Sequence, residues 1–113
     1  MKSKILALSK NDDFKSLLKK KKISNKYVTI FFGKLSEKNK DKLNISFVTK
    51  KKIGNAVKRN KIKRRLRNIF NDGAKKISLN FDYSYLVIAK PTMLNKEYAI
   101  IKETLFRDLE RVR

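Results

Sequence analysis

A basic stretch between residues 50 and 70 constrains the fold more than any other part of the chain. Its sequence, KKKIGNAVKRNKIKRRLRNIF, holds ten Lys and Arg residues and no Asp or Glu. An α-helix advances by about 100° per residue, and this spacing places four apolar residues on one stripe: Ile62, Leu66, Ile69 and Phe70. Asn60, Arg64 and Arg67 fall on the side facing away. The pattern predicts an amphipathic helix that docks on a core and offers donors to an anionic partner.

The composition predicts a folded domain with a polyanionic partner. The chain has 113 residues, of which 41% are hydrophobic, so residues 1–113 are expected to form a single domain with a modest core. Its net charge of +21 favours binding to nucleic acid. An anionic membrane surface is the second candidate, but the apolar residues are spread over several elements instead of one membrane-facing helix.

The absent residue types exclude several kinds of chemistry. Without Cys, the chain has no disulfides, no thiolate nucleophile and no cysteine-bound zinc. Without His, it has no histidine general base and no histidine metal ligand. The apolar run from Ile5 to Leu8 is too short for a signal peptide, and no segment has transmembrane length, so we expect a cytoplasmic protein.

Residue patterns predict an α+β sandwich with helices packed on a mostly antiparallel sheet. The expected elements are a helix starting near Ser9, an extended piece around Ile23, strands at 27–32 and 43–49, the basic helix capped by Asn55 and ending at Asn71-Asp72-Gly73, a strand at 83–90, and a last helix capped by Asn95. The strands at 27–32 and 43–49 are expected to be antiparallel neighbours. The strand at 83–90 is apolar enough to be central.

The carboxylates do not suggest a catalytic site. There are ten Asp and Glu residues, and none lies between Asp41 and Asp72, where the candidate binding surface falls. A protein nuclease would need an acid–base pair or a carboxylate cluster holding divalent metal. The three glycines do not form a phosphate-cradling loop. The sequence therefore predicts a binding protein.

The basic helix predicts contacts to a nucleic-acid backbone. Lys and Arg neutralise phosphates without reading sequence. Asn60 is ambiguous, because its amide suits a base edge, a 2′-hydroxyl or a hydrogen bond within the helix. No helix closely precedes this one as in a helix-turn-helix, whereas aromatic strands that suit unpaired bases do precede it. These two observations favour structured RNA as the partner.

An ordered string of residues resembles a known signature. Lys51-Lys52-Ile53-Gly54-Asn55-Ala56-Val57, followed by residues 59–67, closely resembles the signature of the protein subunit of bacterial ribonuclease P. The resemblance extends to residues 11–14, to the strand ending Ile88-Ala89-Lys90-Pro91 and to the last helix. It implies a four-stranded α-β-β-β-α-β-α fold with a left-handed β-α-β crossover, similar to domain 2 of ribosomal protein S5.

The same resemblance implies a non-catalytic role in tRNA processing. In this family the RNA subunit, with Mg²⁺, removes the 5′ leader of precursor tRNA, and the protein binds that RNA one-to-one. The implied RNA contacts are Lys51, Lys52, Asn55, Arg59, Asn60, Lys61, Lys63, Arg64 and Arg67. Lys61 stands where the family has a second Arg, which keeps the charge and loses the planar donor geometry. No catalytic residue, bound metal, membrane or obligate protein partner is expected.

The family's leader-binding cleft lies between the first helix and the sheet. The resemblance assigns to it Phe14, Leu18 and a strand position near Ile30, although a register shift of one would present different side chains. Core packing is the alternative role for Phe14 and Leu18. Two other functions stay open: a small basic ribosomal or ribosome-assembly protein without a processing role, and a protein nuclease acting alone.

Overall fold

The structure, a computed structural model, describes residues 5–7, 11–34, 43–76 and 83–111. Its strands are β1 (Ile5–Ala7), β2 (Lys21–Ser24), β3 (Val28–Gly33), β4 (Leu43–Val48) and β5 (Ser84–Ala89). Its α-helices are α1 (Asn11–Leu18), α2 (Ala56–Lys76) and α3 (Tyr98–Leu109), and 3₁₀ turns span Lys51–Ile53 and Pro91–Leu94. The predicted α+β class and the order α-β-β-β-α-β-α are confirmed, with β1 as an additional short strand before α1.

The five strands form one mixed sheet in the order β1-β4-β5-β3-β2. β5 is antiparallel to β3 and parallel to β4, and α2 joins β4 to β5 in a β-α-β crossover. β5 is central, as its apolar sequence predicts. The piece around Ile23 is indeed a strand, since Ile23 pairs with Ile30 at one edge of the sheet.

The expectation that 27–32 and 43–49 are antiparallel neighbours is wrong. β5 lies between β3 and β4, and each of them pairs with it instead of with the other. Proximity in sequence favours pairing, but the most apolar strand takes the central place because both of its faces can then be buried.

The main core lies between one face of the sheet and the helices α2 and α3. Along β3, Val28, Ile30 and Phe32 face this core and are buried, whereas Thr29 and Phe31 alternate with them and are partly exposed. The predicted stripe of α2 enters the same core with Ile62, Leu66, Ile69 and Phe70. α3 adds Ile101, Leu105 and Leu109.

Two predicted helix boundaries differ from the structure. α2 continues through Gly73 to Lys76, because Gly73 is buried, Ala74 packs against the core and Asp72 pairs with Lys102 of α3. These tertiary contacts outweigh the low helix propensity of glycine. The residue before α3 is Glu97, not Asn95. Ser9, the expected first cap, lies outside the described residues.

Candidate nucleic-acid interface

A glycine and an asparagine set the start of α2. Gly54 has φ 148°, a conformation that favours glycine, and a Cβ there would lie 2.8 Å from Lys58 Cδ. Asn55 Oδ1 accepts a hydrogen bond from the Lys58 backbone N–H at 3.0 Å, so the predicted N-cap is confirmed. The cap occupies the amide oxygen of Asn55, and its exposed NH₂ group can donate to an external acceptor.

The outer surface of α2 brings together four of the nine predicted RNA contacts. One shallow depression is lined by Val57, Asn60, Lys63, Arg64 and Arg67, which we call the α2 basic face. Asn60, Arg64 and Arg67 are exposed, and Lys63 is partly so. Val57 is 75% exposed and provides an apolar spot that suits a ribose or an unstacked base.

The polar groups of the α2 basic face are available for an external partner. Within the described ranges, the side chains of Asn60, Arg64 and Arg67 make no hydrogen bond or ion pair to the rest of the chain. A hydrogen bond within the helix is therefore not observed for Asn60 there. The first turn of α2 has no acid to offset the positive end of the helix dipole, so an anion is favoured.

One flank of α2 carries polar contacts inside the protein. Arg65 donates to the backbone carbonyls of Met93 and Lys96, each at 3.4 Å, and so ties α2 to the segment before α3. Asp72 Oδ2 lies 2.6 Å from Lys102 Nζ. The hydrogen bond from Lys102 lowers the pKa of Asp72, and the same bond raises the pKa of Lys102. This flank has a structural role.

The remaining predicted RNA contacts lie apart from the α2 basic face. Lys51, Lys52 and Lys61 are exposed, the first two in the 3₁₀ turn before α2. Arg59 lies one turn before Ile62, on the side of the helix that faces the core, and is only partly exposed. Its Nε is buried without a hydrogen-bond partner in the described part of the chain. Helical spacing thus separates Arg59 from its neighbour Asn60.

A second candidate surface lies on the other face of the sheet, which α1 crosses at β3 and β5. Leu17 and Leu86 are buried but lie outside the main core, as expected for the α1 side. Ser24 Oγ and Thr29 Oγ1 lie 3.2 Å apart, which places Ser24 of β2 and Thr29 of β3 on this same face. Partly exposed side chains of this face define the α1 cleft: Thr29, Phe31, Ser46, Val48 and Ile88.

The prediction that Ile30 lines this cleft is wrong. Ile30 is 0% exposed and belongs to the core beneath α2 and α3. Adjacent residues of a strand point to opposite faces, so the side chain on the α1 face is Phe31. In the sequence YVTIFF, apolar residues occur at both odd- and even-numbered positions, so the sequence does not reveal whether Ile30 or Phe31 faces the core.

The first helix places one of its two predicted cleft residues at the surface. Leu18 is 50% exposed, whereas the neighbouring Leu17 is completely buried. Core packing, the alternative role for Leu18, therefore applies to Leu17 instead. Phe14 belongs to α1, but its side chain lies outside the described part of the structure.

Sequence reasoning missed the residues that border the α1 cleft. Lys22 pairs with Phe31 across β2 and β3, on the α1 face. Lys90 Nζ donates to Ser24 Oγ at 2.9 Å and to the Asn25 carbonyl at 2.5 Å, which brings its charge beside Thr29. The sequence signals for Lys90 were its place directly after the central strand and its inclusion in the Ile88-Ala89-Lys90-Pro91 part of the resemblance.

In the described part of the chain, no three His, Cys, Asp or Glu side chains gather into a group that could hold a metal ion. None of the helices found there combines the length and apolar character needed to cross a membrane.

Comparison with known proteins identifies the family. The ribonuclease P family model matches residues 3–113. The ribonuclease P protein component of Bacillus pumilus is 34% identical over 99 residues, covering 87% of this chain and 80% of that protein.

Solved structures share the fold. The RNase P protein from Thermotoga maritima matches with a TM-score of 0.80 at 24% identity, over 96% of this chain and 98% of that one. The Staphylococcus aureus RNase P protein matches with a TM-score of 0.69 at 29% identity, over 94% and 93%. The resemblance predicted from residues 51–67 is confirmed, and the chain belongs to the ribonuclease P protein family.

Proposed function

We propose that this chain uses its two surfaces for two different RNAs. The α2 basic face binds the RNA subunit of ribonuclease P, and the α1 cleft binds the single-stranded 5′ leader of precursor tRNA. As a ribonuclease P protein component, the chain is a subunit of the endoribonuclease that processes tRNA, and the RNA subunit is its partner. The one-to-one stoichiometry, the cytoplasmic location and the leader contact are part of the proposal.

The observation that carries the proposal is the α2 basic face. Three cations and an amide line one depression without a carboxylate among its lining residues. A surface of this kind neutralises phosphates, and Asn60 adds a group that both donates and accepts. Val57 contributes an apolar contact that a phosphate backbone alone would not need.

The α1 cleft supports the second part of the proposal. It combines a partly exposed aromatic ring, Phe31, with partly exposed aliphatic side chains and with Lys22 and Lys90 at its borders. Aromatic surfaces with nearby cations bind unpaired nucleotides by stacking and by backbone attraction. The family match favours ribonuclease P over a ribosomal protein without a processing role.

The chemistry is proposed to lie in the RNA subunit and its Mg²⁺. The chain has no His and no Cys, and no Asp or Glu falls within residues 50–70. The protein alone should therefore leave precursor tRNA intact. Its role is to raise substrate affinity and to assist the RNA at low magnesium.

Reconstitution tests the proposal. The chain is assembled with a cognate RNA subunit at low magnesium, and cleavage of precursor tRNA is followed with and without protein. We expect faster cleavage and tighter substrate binding with protein. Equal rates with and without it would refute the proposal, and cleavage by protein free of RNA would point to a nuclease.

Salt dependence tests the α2 basic face. Arg64→Ala and Arg67→Ala should each weaken binding to the RNA subunit and make the log–log salt slope shallower by roughly 1, because each removes about one phosphate contact. Arg107→Ala is the matched control, since Arg107 is exposed on α3 and pairs with Glu103 at 3.4 Å. A slope that changes equally in all three variants would place RNA binding elsewhere.

A further inference from the structure

A second basic surface lies at the end of the sheet where β3 ends and β5 begins. We call it the lysine pocket, and its lining residues are Lys19, Lys20, Lys21, Phe32, Gly33, Lys34 and Tyr83. Four of the seven are cations, and none of these lining residues is acidic. Cations held around one concave surface without a counter-charge in its lining favour an anionic ligand.

The fold holds Lys20 in a defined position against Gly33. A Cβ at Gly33 would lie 2.8 Å from Lys20 Cγ and 2.9 Å from Lys20 Cβ, so the missing side chain of Gly33 makes the space in which Lys20 sits. The Lys20 backbone N–H donates to the Leu17 carbonyl at 3.0 Å, which holds the residue at the end of α1. Lys20 is thus held where β3 ends.

The pocket also offers an aromatic surface. The rings of Phe32 and Tyr83 lie 5.6 Å apart at 41°, and Phe32 is 5% exposed while Tyr83 is partly exposed. Phe32 therefore supports the ring of Tyr83 from within the core. Lysines beside a supported aromatic ring suit single-stranded RNA, which presents both phosphates and bases.

The Gly33 side of the lysine pocket continues the α1 cleft, whereas Phe32 and Tyr83 lie on the core face at the end of the sheet. Gly33 lies two residues beyond Phe31 on the same face of β3, a distance of about 7 Å along the strand. A nucleotide strand lying on Phe31 therefore reaches Lys20 within about one or two further nucleotides, which are spaced by roughly 3.4 Å or more.

The position also separates this pocket from the α2 basic face. α2 begins after the carboxyl end of β4, whereas Gly33 pairs with Ser84 at the opposite end of the sheet. The orientation of the leader is part of our proposal: the RNA subunit, which carries the chemistry, is taken to bind at α2 and to place the cleavage site toward that end. The part of the leader further from the cleavage site then runs toward Gly33.

We propose that the lysine pocket binds the phosphodiester backbone of the leader upstream of the segment in the α1 cleft. This inference rests on the proposed function, because it takes the α1 cleft as the leader site. It predicts that the protein distinguishes precursor tRNAs by leader length, and that the lysines act only on long leaders.

The test compares two leader lengths in the assembled holoenzyme. One precursor carries a short leader that ends within the α1 cleft, and the other is extended at its 5′ end by about eight nucleotides. The variant is the double substitution Lys19→Gln and Lys34→Gln, which leaves Lys20 unchanged in its position beside Gly33. The control, Lys96→Gln with Arg107→Gln, removes the same charge from exposed positions outside the α2 basic face, the α1 cleft and the lysine pocket.

We expect the variant to lose roughly fivefold to tenfold in affinity for the long leader and to bind the short leader as the wild type does. Its log–log salt slope for the long leader should be shallower by about 1.4, because two contacts to a single strand are removed. The control should bind both precursors normally. Equal effects on both leaders, or none on the long one, would overturn the inference. A wild-type protein that fails to raise affinity even for the short leader would refute the proposed leader site itself.

Gly33→Ala tests independently whether Lys20 contributes to the lysine pocket. The added methyl group displaces Lys20 from the position described above and should lower affinity for the long leader alone. Circular dichroism and cleavage of the short-leader precursor establish that this variant is folded. A folded Gly33→Ala holoenzyme with unchanged long-leader affinity would exclude Lys20 from the site.

Discussion

The two faces of the sheet are built for different purposes. On one face, α2 with 21 residues and α3 with 12 cover the strands, and the side chains of β3 that point there are buried. On the other face, α1 has only eight residues, and Thr29 and Phe31 remain partly exposed. Complete coverage gives stability, whereas partial coverage leaves an aromatic and aliphatic surface for a ligand.

The difference depends on single residues along β3. Ile30 and Phe31 are neighbours with similar apolar character, yet one is in the core and the other borders a cleft. Burial of an aliphatic side chain contributes to the free energy of unfolding, while a partly exposed ring can contribute to ligand affinity. Substitutions on the two faces should therefore separate stability from binding.

The largest effect is expected for Ile30→Ala. Ile30 is completely buried, so the change leaves a cavity and should lower the free energy of unfolding by about 2–5 kcal/mol, measured by urea denaturation. Folded holoenzyme containing this variant should bind the leader normally. Loss of leader affinity at wild-type stability would reverse the assignment of the two faces.

Phe31→Ala should show the opposite pattern. Base–aromatic stacking contributes about 1–3 kcal/mol per base, so affinity for the leader should fall by roughly fivefold or more. The control is Phe47→Ala, because Phe47 is also partly exposed but packs 5.6 Å from Phe70 on the core face. Phe47→Ala should reduce stability and spare leader affinity, and an equal loss of affinity in both variants would contradict the comparison.

Leu18→Phe should improve binding. Leu18 is 50% exposed on α1, so the phenyl ring of phenylalanine fits there without repacking the core and adds a stacking surface beside the α1 cleft. We expect an increase in leader affinity of about threefold to tenfold. Ile100→Phe is the matched control, since Ile100 is 43% exposed on α3 and lies in the helical layer of the other face. Equal gains in both variants would indicate non-specific stacking.

Local spacing predicted the parts of the fold that depend on one element. The stripe from Ile62 to Phe70 predicted both the helix and its outer face, since helical geometry sets both at once. Asn55 was predictable as a cap because its role involves only the next turn. The continuation of α2 past Gly73 was not, because it depends on Lys102, thirty residues away.

Strand pairing and register needed information from the whole chain. The separation of β3 and β4 by β5 is set by which strand can be buried on both faces, not by loop length. The choice between Ile30 and Phe31 is set by pairing with β5, where Ile30 meets Val87 and Phe31 meets Leu86. The motif at residues 51–67 predicted the family, but identifying the side chains that line the α1 cleft required the strand register.

The smallest effect is expected for Asp72→Asn, which breaks the ion pair between α2 and α3 in the covered layer. The two side chains are partly exposed, 37% for Asp72 and 23% for Lys102, so the solvent-screened loss should stay below about 1 kcal/mol. The pH dependence of this loss of unfolding free energy shows whether it comes from the ion pair between Asp72 and Lys102.

The lowered pKa of Asp72 means that its contribution is present at neutral pH and lost as the pH falls through the acidic range, below about 4. The raised pKa of Lys102 means that its contribution is lost as the pH rises, above about 10.5. The difference in unfolding free energy between wild type and Asp72→Asn should therefore be level between these limits and shrink outside them. Leader affinity should not change, because this pair stabilises the covered face alone; a change in leader affinity would show that the two faces are coupled.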